Sequence, residues 1–345
     1  MAARASTYAG IIAPRSPLSG SAFVTDAEIL HELPRLRALV VGDICLDRWC
    51  YYDPALSIPS VETGITRIAV TRSITTPGAG GTIASNLAAL KVGRVSVLGA
   101  VGDDGHGFEL RKALRERAIE EQLLVEAADS LTFTYTKLIN GMTGVEDLPR
   151  VDFIHQPDLK AERQVLDRLR RAIQEHDLIL ISDQAETDSG GVVTAAVRDL
   201  LAQLAPKYPD KVFLADSRRR AHLFKQVSLK PNWTEAGYWT TDLTGLRRHT
   251  GAPVLYVTRG GDGVHVVDSS GETIVPVRKV EHPVDVCGAG DSFAAGSAAA
   301  LFLTGDAVRS AEFGSRIAAI TIQKSGTGTA SPEEVLALPG AASRL

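Results

Sequence analysis

The amino-acid sequence predicts an α/β fold, in which a doubly wound and mostly parallel sheet carries helices on both faces beside a small second sheet. Three observations lead to this prediction. Short apolar runs alternate with segments of helical length, the pattern of a parallel sheet that is covered on both faces. Several of these runs end in polar residues, as strands do at the ligand-binding edge of such sheets. Two segments, 49–76 and 131–156, break the alternation.

The predicted elements follow one another from Thr25 onward. Thr25 and Asp26 are N-cap candidates for a short helix over AEILHELPRL. The apolar run RALVVGDICLD (37–47) predicts one buried strand with polar residues at its carboxyl end. The later elements are a helix over TIASNLAALKVG, a strand over VSVLGAVG, a helix over HGFELRKALRERAI, a strand over LILISD (178–183), a helix over VVTAAVRDLLAQLA, a strand over KVFLADSR (211–218), and two strands joined by a glycine-rich turn in VLYVTRGGDGVHVVD.

The two segments that break the alternation predict the small sheet. Residues 49–76 are rich in β-branched and aromatic side chains, and residues 131–156 suggest paired strands with a turn between Gly141 and Gly144. We expect this sheet to form a lid above the carboxyl ends of the main strands. Residues 1–25 have no apolar core of a signal peptide and predict a flexible arm. Residues 26–340 then form one domain.

Composition limits the classes of partner. The 345 residues carry a formal net charge of −4, which offers no general attraction to nucleic acid or to anionic membranes. No run reaches the roughly 18 apolar residues of a membrane span. Cys45, Cys50 and Cys287 form no C-x-x-C pair, and three cysteines fit a reducing compartment. We therefore expect a cytoplasmic protein that acts on small molecules.

The stretch VDVCGAGDSFAAG (284–296) is the strongest candidate site. Gly288, Ala289 and Gly290 lead directly into Asp291 and an apolar helical segment. The amides at the start of a helix lack helical partners and can hold an anion. A carboxylate beside a bound phosphoryl group can accept the proton of an attacking hydroxyl. From spacing alone, an ordinary Asp cap on a buried helix remains the alternative.

Other polar turns could serve the same chemistry. PGAGGTIASN (77–86) is a second glycine-rich turn into a helix, and Asp43 and Asp47 could hydrogen-bond a polyol. Asn232 and Glu235, in LKPNWTEAG, could form a helix cap or a site for water and metal near phosphates. For the first turn and the two aspartates, plain helix-start and capping roles remain open. The glycine-rich turns YVTRGGDG and KSGTGTASPEE are weak signals by themselves.

Taken together, these motifs resemble those of the ribokinase-like (PfkB) sugar kinases in type and in order. The resemblance covers about residues 37–335, and GAGDSFAAG is its most specific part. It is strongest toward the heptose 7-phosphate kinases, through GDICLDRW, PRVDFIHQ (149–156), LISDQAE (180–186) and FLADSR (213–218) ahead of KPN. It implies a ribokinase-like fold with a β-sheet lid, a homodimer formed through that lid, and transfer of the γ-phosphoryl group of ATP to a sugar hydroxyl with Mg²⁺.

The resemblance also implies roles for individual residues. It makes Asp291 the general base and the amides of Gly288, Ala289 and Gly290 the anion hole. It places Asn232 and Glu235 near Mg²⁺ and the phosphates, with Glu235 acting through water; Thr258, Arg259, Gly260, Gly263, Gly326 and Gly328 along the nucleotide; Asp43, Asp47, Gly78, Thr82, Asn86 and Asp216 at the sugar; and Asp285 at a position that helps hold a monovalent cation, such as K⁺, in some relatives.

Several residues depart from the family pattern on the acceptor side. Thr82 stands where a sugar-contacting Asn is expected, and Cys287 stands where Thr is usual. Gln184 and Glu186 replace a Tyr and a Lys of the heptose kinases, and Arg218 replaces a second Lys. The acceptor is therefore left open between a sugar and a sugar phosphate. The alternatives are a kinase of a nucleoside or other non-sugar alcohol, and a non-catalytic sugar- or nucleotide-binding regulatory protein of the same fold.

Overall fold

The structure is a computed structural model that describes residues 24–154, 159–185 and 190–339. Most of the predicted arm over 1–25 therefore lies outside the described residues. So do His155, Gln156 and Glu186, and the predicted end of the domain at residue 340.

The described ranges contain the following strands and helices. The strands are β1 (Arg37–Gly42), β2 (Ile44–Tyr52), β3 (Val70–Ala79), β4 (Arg94–Leu98), β5 (Ala100–Val101), β6 (Val125–Glu126), β7 (Thr134–Asn140), β8 (Val151–Phe153), β9 (Leu178–Asp183), β10 (Val212–Ser217), β11 (Ser228–Leu229), β12 (Leu255–Thr258), β13 (Val264–Asp268) and β14 (Gly271–Val275). The helices are α1 (Asp26–Glu32), α2 (Gly80–Ala89), α3 (Gly105–Arg115), α4 (Leu159–Glu175), α5 (Ala195–Leu204), α6 (Trp233–Gly237), α7 (Leu243–Thr250), α8 (Ala289–Thr304), α9 (Ala307–Thr321) and α10 (Pro332–Ala337).

Eight of the described strands form the main sheet, in the order β4, β1, β9, β10, β11, β12, β13, β14. The first six run parallel, and the β12–β13–β14 end is antiparallel. Both faces of the sheet are buried, as β1 shows: its successive side chains point to opposite faces, and each face packs against helices. Leu39 and Val41 pack with α4 and α5, whereas Ala38 and Val40 pack with α2, α8 and α9. The continuous apolar runs in the sequence follow from this two-sided burial.

The second sheet, which we call the lid sheet, has the order β3, β2, β7, β8. The end of β2, most of β3, and all of β7 and β8 come from the two segments that break the sequence pattern, and β2 pairs in parallel with β7. The predicted single strand over 37–47 is wrong: it is two strands, because the chain turns at Gly42 and passes into the lid sheet. Gly42 has φ +128°, and a Cβ there would lie 2.1 Å from the Ser182 carbonyl oxygen.

The lid sheet lies against the loops at the carboxyl edge of the main sheet. The ring of Trp49 on β2 lies beside Gly326, where an added Cβ would be 3.6 Å from Cζ2. Thr76 on β3 has its hydroxyl 3.4 Å from that of Thr327. β3 then runs directly into α2, so the lid sheet is joined to the main domain at Ala79 and Gly80. Among the residues described, no helix combines the length and the apolar character that crossing a membrane requires.

Candidate active site

Two cavities meet at the start of α8. The first, which we call the lid cavity, has a volume of about 130 Å³ and lies between the lid sheet and the main domain. The second, the hairpin cavity, has a volume of about 330 Å³ and lies between the β12–β13 turn, residues 277–286, α8 and α9. Gly288 and Asp291 line the lid cavity, whereas Ala289 and Gly290 line the hairpin cavity. The start of α8 is therefore the wall between them.

The predicted anion loop is a helix start of the required geometry. Gly288 has φ +79° and precedes the first residue of α8, so the left-handed conformation explains the glycine. The amides in the first turn of a helix have no helical acceptors, and the helix dipole favours an anion there. The Ala289 amide bends back to the Val286 carbonyl oxygen at 3.3 Å. Of the three amides predicted to bind an anion, that of Ala289 therefore already donates a hydrogen bond within the loop.

Asp291 lies at the wall of the lid cavity with its pKa raised to about 8. Burial of the carboxyl group is the main cause, and repulsion by Asp216 adds to it. Attraction to Lys230 opposes both. A carboxylate with such a pKa binds a proton far more tightly than an exposed Asp and still ionises near neutral pH. This is the proton affinity that a general base needs.

A buried cluster of charges lies behind the anion loop. Asp216 was predicted at the sugar, but it does not line the lid cavity. Its carboxylate instead pairs with Lys230, 2.9 Å from Nζ. The added Cβ of Gly290 would lie 2.8 Å from the same Nζ, so Lys230 places a positive charge directly beneath the loop. Sequence reasoning missed Lys230, although its position next to the Pro-Asn pair of the 229–237 motif was the available signal.

Asn232 and Glu235 form a capping box at the start of α6. The Asn232 side chain accepts a hydrogen bond from the Glu235 amide at 2.9 Å, and the Glu235 carboxylate accepts one from the Asn232 amide at 2.7 Å. Burial, and then repulsion by Asp216, raise the pKa of Glu235 to about 7. The helix-cap role that the sequence left open is therefore present. The Glu235 carboxylate that takes part in it also lies close enough to Asp216 and Lys230 to feel their charges.

Of the two aspartates predicted at the sugar, only Asp47 lines the lid cavity. Gly78 lies directly against it, since an added Cβ would be 2.4 Å from the Asp47 carboxyl carbon. Burial raises the pKa of Asp47 to about 6. Asp43 instead hydrogen-bonds the backbone of two residues that follow β9 in the chain. Its carboxylate accepts hydrogen bonds from the amides of Gln184 at 2.8 Å and Val192 at 2.7 Å.

The start of α2 contributes Thr82 but not Asn86 to the lid cavity. The Thr82 methyl group lies against the anion loop, 3.1 Å from where a Cβ on Gly288 would be. Asn86 is fully buried within the fold and donates a hydrogen bond to the Thr82 carbonyl oxygen at 3.0 Å. Gln184 and Cys287, two of the departures from the family pattern, also line the cavity.

The residues predicted along the nucleotide divide into two groups. Thr258, Gly260 and Gly263 line the hairpin cavity. The Arg259 guanidinium lies over the Trp233 ring, 4.3 Å from its centroid. Gly326 and Gly328, the other glycines predicted along the nucleotide, line neither cavity, and the Gly328 amide donates to the Gly326 carbonyl oxygen at 3.0 Å. Asp285, predicted near a monovalent cation, accepts hydrogen bonds from the amides of Cys287 at 2.9 Å and Gly326 at 3.2 Å.

Four basic side chains line the lid cavity, and sequence analysis singled out only one of them. They are Arg48, Lys137, Arg150 and Arg218, beside the two carboxylates of Asp47 and Asp291. Lys137 also lies 3.5 Å from Glu146, and Arg150 lies 2.7 Å from Asp152. Arg48 and Lys137 lie on strands of the lid sheet and Arg150 directly precedes β8, so the lid sheet supplies most of the positive charge in this cavity. Alternation along β7 places Tyr135 and Lys137 on one face, which was the available signal.

The hairpin cavity has the size and lining that fit a nucleotide. Its volume falls within the usual range for small-molecule sites, and its walls combine glycines with apolar side chains such as Val264, Val286 and Phe293. The described residues contain no group of three or more His, Cys, Asp or Glu side chains that could hold a metal ion. Asn232 and Glu235, which the resemblance places near Mg²⁺, line neither cavity. Mg²⁺ is usually held by one or two carboxylates together with phosphates and water, and the Glu235 carboxylate is a group of that type.

Comparison with known proteins agrees with this geometry. Residues 36–334 match the pfkB family of carbohydrate kinases, and the chain belongs to that family. It is 30% identical over 322 residues to the bifunctional protein HldE of Rhodopseudomonas palustris strain BisB18, an alignment that covers 87% of this chain and 63% of the relative. The chain thus spans less than two thirds of that relative's length.

Solved structures of low sequence identity share the fold. Ribokinase from Thermotoga maritima superposes with a TM-score of 0.65 at 19% identity, over 88% of this chain and 98% of that one. Phosphofructokinase-2 from Escherichia coli, in complex with potassium, gives a TM-score of 0.65 at 18% identity, over 87% and 97%. The predicted doubly wound α/β fold with a separate small sheet is confirmed.

Proposed function

We propose that this protein transfers the γ-phosphoryl group of ATP to a hydroxyl group of a sugar or sugar phosphate, with Asp291 as the general base. One observation carries the proposal: the start of α8 separates two cavities and contributes to both. Asp291 and Gly288 belong to the lid cavity, and Ala289 and Gly290 belong to the hairpin cavity. A phosphoryl group passing from one cavity to the other must cross the anion loop.

The reaction assigns one task to each part of the site. The nucleotide occupies the hairpin cavity and the acceptor occupies the lid cavity. The acceptor oxygen forms a bond to the γ-phosphorus as the bond to the ADP oxygen breaks, and the hydroxyl proton passes to the Asp291 carboxylate. The loop amides and the Lys230 ammonium stabilise the negative charge on the transferred group. Mg²⁺, held near Glu235 and Asn232, would neutralise charge on the phosphates.

The charge of the lid cavity favours an acceptor that already carries an anionic group. Lys137, Arg150 and Arg218 approach Asp47 closely enough to lower its pKa, against the larger effect of burial. Lys137 and Arg150 already pair with Glu146 and Asp152, yet four basic side chains line this one cavity, and guanidinium groups bind phosphates well. Of the two acceptor classes, we therefore favour a sugar phosphate over a neutral sugar.

An acceptor screen tests the reaction and its class together. ADP release from ATP and Mg²⁺ is measured with sugars, sugar phosphates and nucleosides, and each acceptor is also tested for its effect on the melting temperature. Turnover with a sugar phosphate supports the proposal. Turnover confined to nucleosides would replace it with the nucleoside-kinase alternative. Acceptor binding without turnover would favour the non-catalytic alternative.

Substitutions of the cationic residues test the preference for an anionic acceptor. We expect Arg218→Met and Lys137→Met to raise the KM of a phosphorylated acceptor about 10-fold or more, with a smaller effect on its unphosphorylated parent. Arg170→Met is the matched control, because Arg170 pairs with Asp167 on the exposed face of α4. An equal effect on both acceptors would remove the argument for a phosphate subsite.

Three further expectations belong to the same proposal. The protein forms a homodimer through the lid sheet, whose neighbourhood exposes an apolar series: Ile58, Val61, Ile65, Ile68, Val70 and Ile74. Apolar patches of this kind commonly mark protein interfaces. A monovalent cation such as K⁺ binds near Asp285, and the protein acts in the cytoplasm.

A further inference from the structure

The turn from β3 into α2 has glycine at three positions where a side chain has no room. An added Cβ at Gly78 would lie 2.4 Å from the Asp47 carboxyl carbon, at Gly80 2.7 Å from Ile44 Cδ1, and at Gly81 2.5 Å from Pro77 Cβ. Real Cβ atoms do not approach other atoms this closely, so each of these glycines follows from close packing.

The fourth residue of the same turn is Ala79, where glycine would be expected for a different reason. Ala79 has φ +52° and ψ −119°, close to the first central position of a type II′ turn, which strongly favours glycine. The side chain of an L-residue is strained there. The chain therefore carries a methyl group at the one position of the turn whose backbone disfavours it.

Ala79 borders the cavity proposed for the acceptor. Ala79 lines the lid cavity together with Thr82 from the next turn of α2, and Thr82 packs against Gly288 of the anion loop. The backbone on both sides is held, since Ala79 pairs with Ile44 and the Gly80 amide donates to the Asp43 carbonyl oxygen at 3.0 Å. These backbone contacts fix the direction of the Ala79 methyl group relative to the cavity.

We propose that Ala79 is an acceptor-selecting residue, whose methyl group narrows the lid cavity at α2 and excludes acceptors with a larger substituent on that side. This inference rests on the proposed kinase function. A contact of one methyl group in a substrate pocket changes discrimination by about 10-fold to 200-fold, so the effect on acceptor choice is measurable. Strain retained at a ligand-binding position agrees with a functional use of the side chain.

The test compares Ala79→Gly with Ala118→Gly. Ala118 also has positive φ, +55°, but it is exposed beyond the end of α3 and lines neither cavity. Both substitutions relieve a strained backbone, and we expect both to raise the melting temperature. Ala79→Gly alone should change the ratio of kcat/KM between a larger and a smaller acceptor, by about 10-fold in favour of the larger.

The probes are ribose 5-phosphate, fructose 6-phosphate and sedoheptulose 7-phosphate, each measured by ADP release and by the shift in melting temperature. Ala79→Ser, which adds an atom to the cavity, should shift the ratio in the opposite direction.

The outcomes separate this inference from the proposed function. If the Ala79→Gly and wild-type proteins release ADP with the same ratio among acceptors, the inference is overturned while the kinase function stands. If Ala118→Gly changes the ratio as Ala79→Gly does, selection by the Ala79 methyl group is also overturned. If neither the wild-type protein nor any variant releases ADP with any sugar or sugar phosphate of the acceptor screen, the proposed function fails and this inference fails with it.

Discussion

Lys230 and Asp216 form a buried ion pair beneath the anion loop, with 2.9 Å between Nζ and Oδ2. Their exposed fractions are 3% and 6%. Burial alone would lower the pKa of Lys230, but attraction to Asp216 and Glu235 outweighs it, and the pKa lies above its usual value. The lysine is therefore a permanent positive charge beside Gly290. It pairs with Asp216. It also favours the ionised forms of Glu235 and Asp291, against the larger effect of burial.

Removing this charge should damage both stability and turnover. We expect Lys230→Met to lower the free energy of unfolding by about 3–5 kcal/mol, since it leaves Asp216 buried without its partner. Urea unfolding measures this effect, and the double variant Lys230→Met with Asp216→Asn should recover part of the loss. Turnover should stay low in both variants, because the charge beneath the loop is absent. Recovery of full turnover in the double variant would contradict a role for Lys230 in the reaction.

Stability should decrease as the pH rises from weakly acidic to weakly basic. Burial raises the pKa of Asp43 and Asp47 to about 6, of Glu235 to about 7 and of Asp291 to about 8. The folded protein thus holds these protons more tightly than the unfolded chain, whose carboxyl groups titrate near pH 4. Folding is favoured while the protons are bound, and this contribution is lost between about pH 4 and pH 8.

Urea unfolding of the ligand-free protein across that pH window measures the effect. Asp291→Asn cannot lose a proton, so the decrease in its free energy of unfolding should be smaller than in the wild-type protein across the whole range from about pH 4 to pH 8. Identical pH profiles for the two proteins would show that the Asp291 carboxyl group is ionised in the fold already at acidic pH.

Gly78 should be needed to hold Asp47 in place. A Cβ at this position would collide with the Asp47 carboxylate, so Gly78→Ala displaces the carboxylate or the strand. We expect a loss of about 1–3 kcal/mol in the free energy of unfolding and a large rise in the acceptor KM, with ATP affinity unchanged. Gly105→Ala is the matched control, because nothing lies within 4 Å of its added Cβ. An unchanged acceptor KM in Gly78→Ala would separate Asp47 from acceptor binding.

The lid sheet should carry the dimer contact. Val61 and Ile65 are the most exposed apolar residues of the series between β2 and β3. Changing both to Asp places charges in the proposed interface and should convert a dimer into a monomer in sedimentation velocity. Leu336→Asp, a comparable change on α10, should leave the dimer intact. A wild-type protein that sediments as a monomer at all concentrations would contradict the proposal.

The sequence predicted most closely those features that depend on local conformation. LILISD forms β9 over the predicted residues, and Gly288 has the positive φ of a loop before a helix. Features that depend on contacts between distant parts of the chain could not be predicted from the sequence. RALVVGDICLD appears as one strand because both halves are buried, and only the contact of Gly42 with Ser182 reveals the turn. Lys230 resembles a solvated loop lysine until carboxyl groups from other segments surround it.

The most direct measurement of the central claim is the turnover of Asp291→Asn beside its affinity for ATP. Asparagine preserves the shape of the side chain but cannot accept the hydroxyl proton. We predict that kcat falls by about 10²-fold to 10⁴-fold, while the Kd of a non-hydrolysable ATP analogue stays at the wild-type value, because the hairpin cavity is intact. A variant that keeps a near-normal kcat with the same acceptor would contradict the assignment of Asp291 as the base.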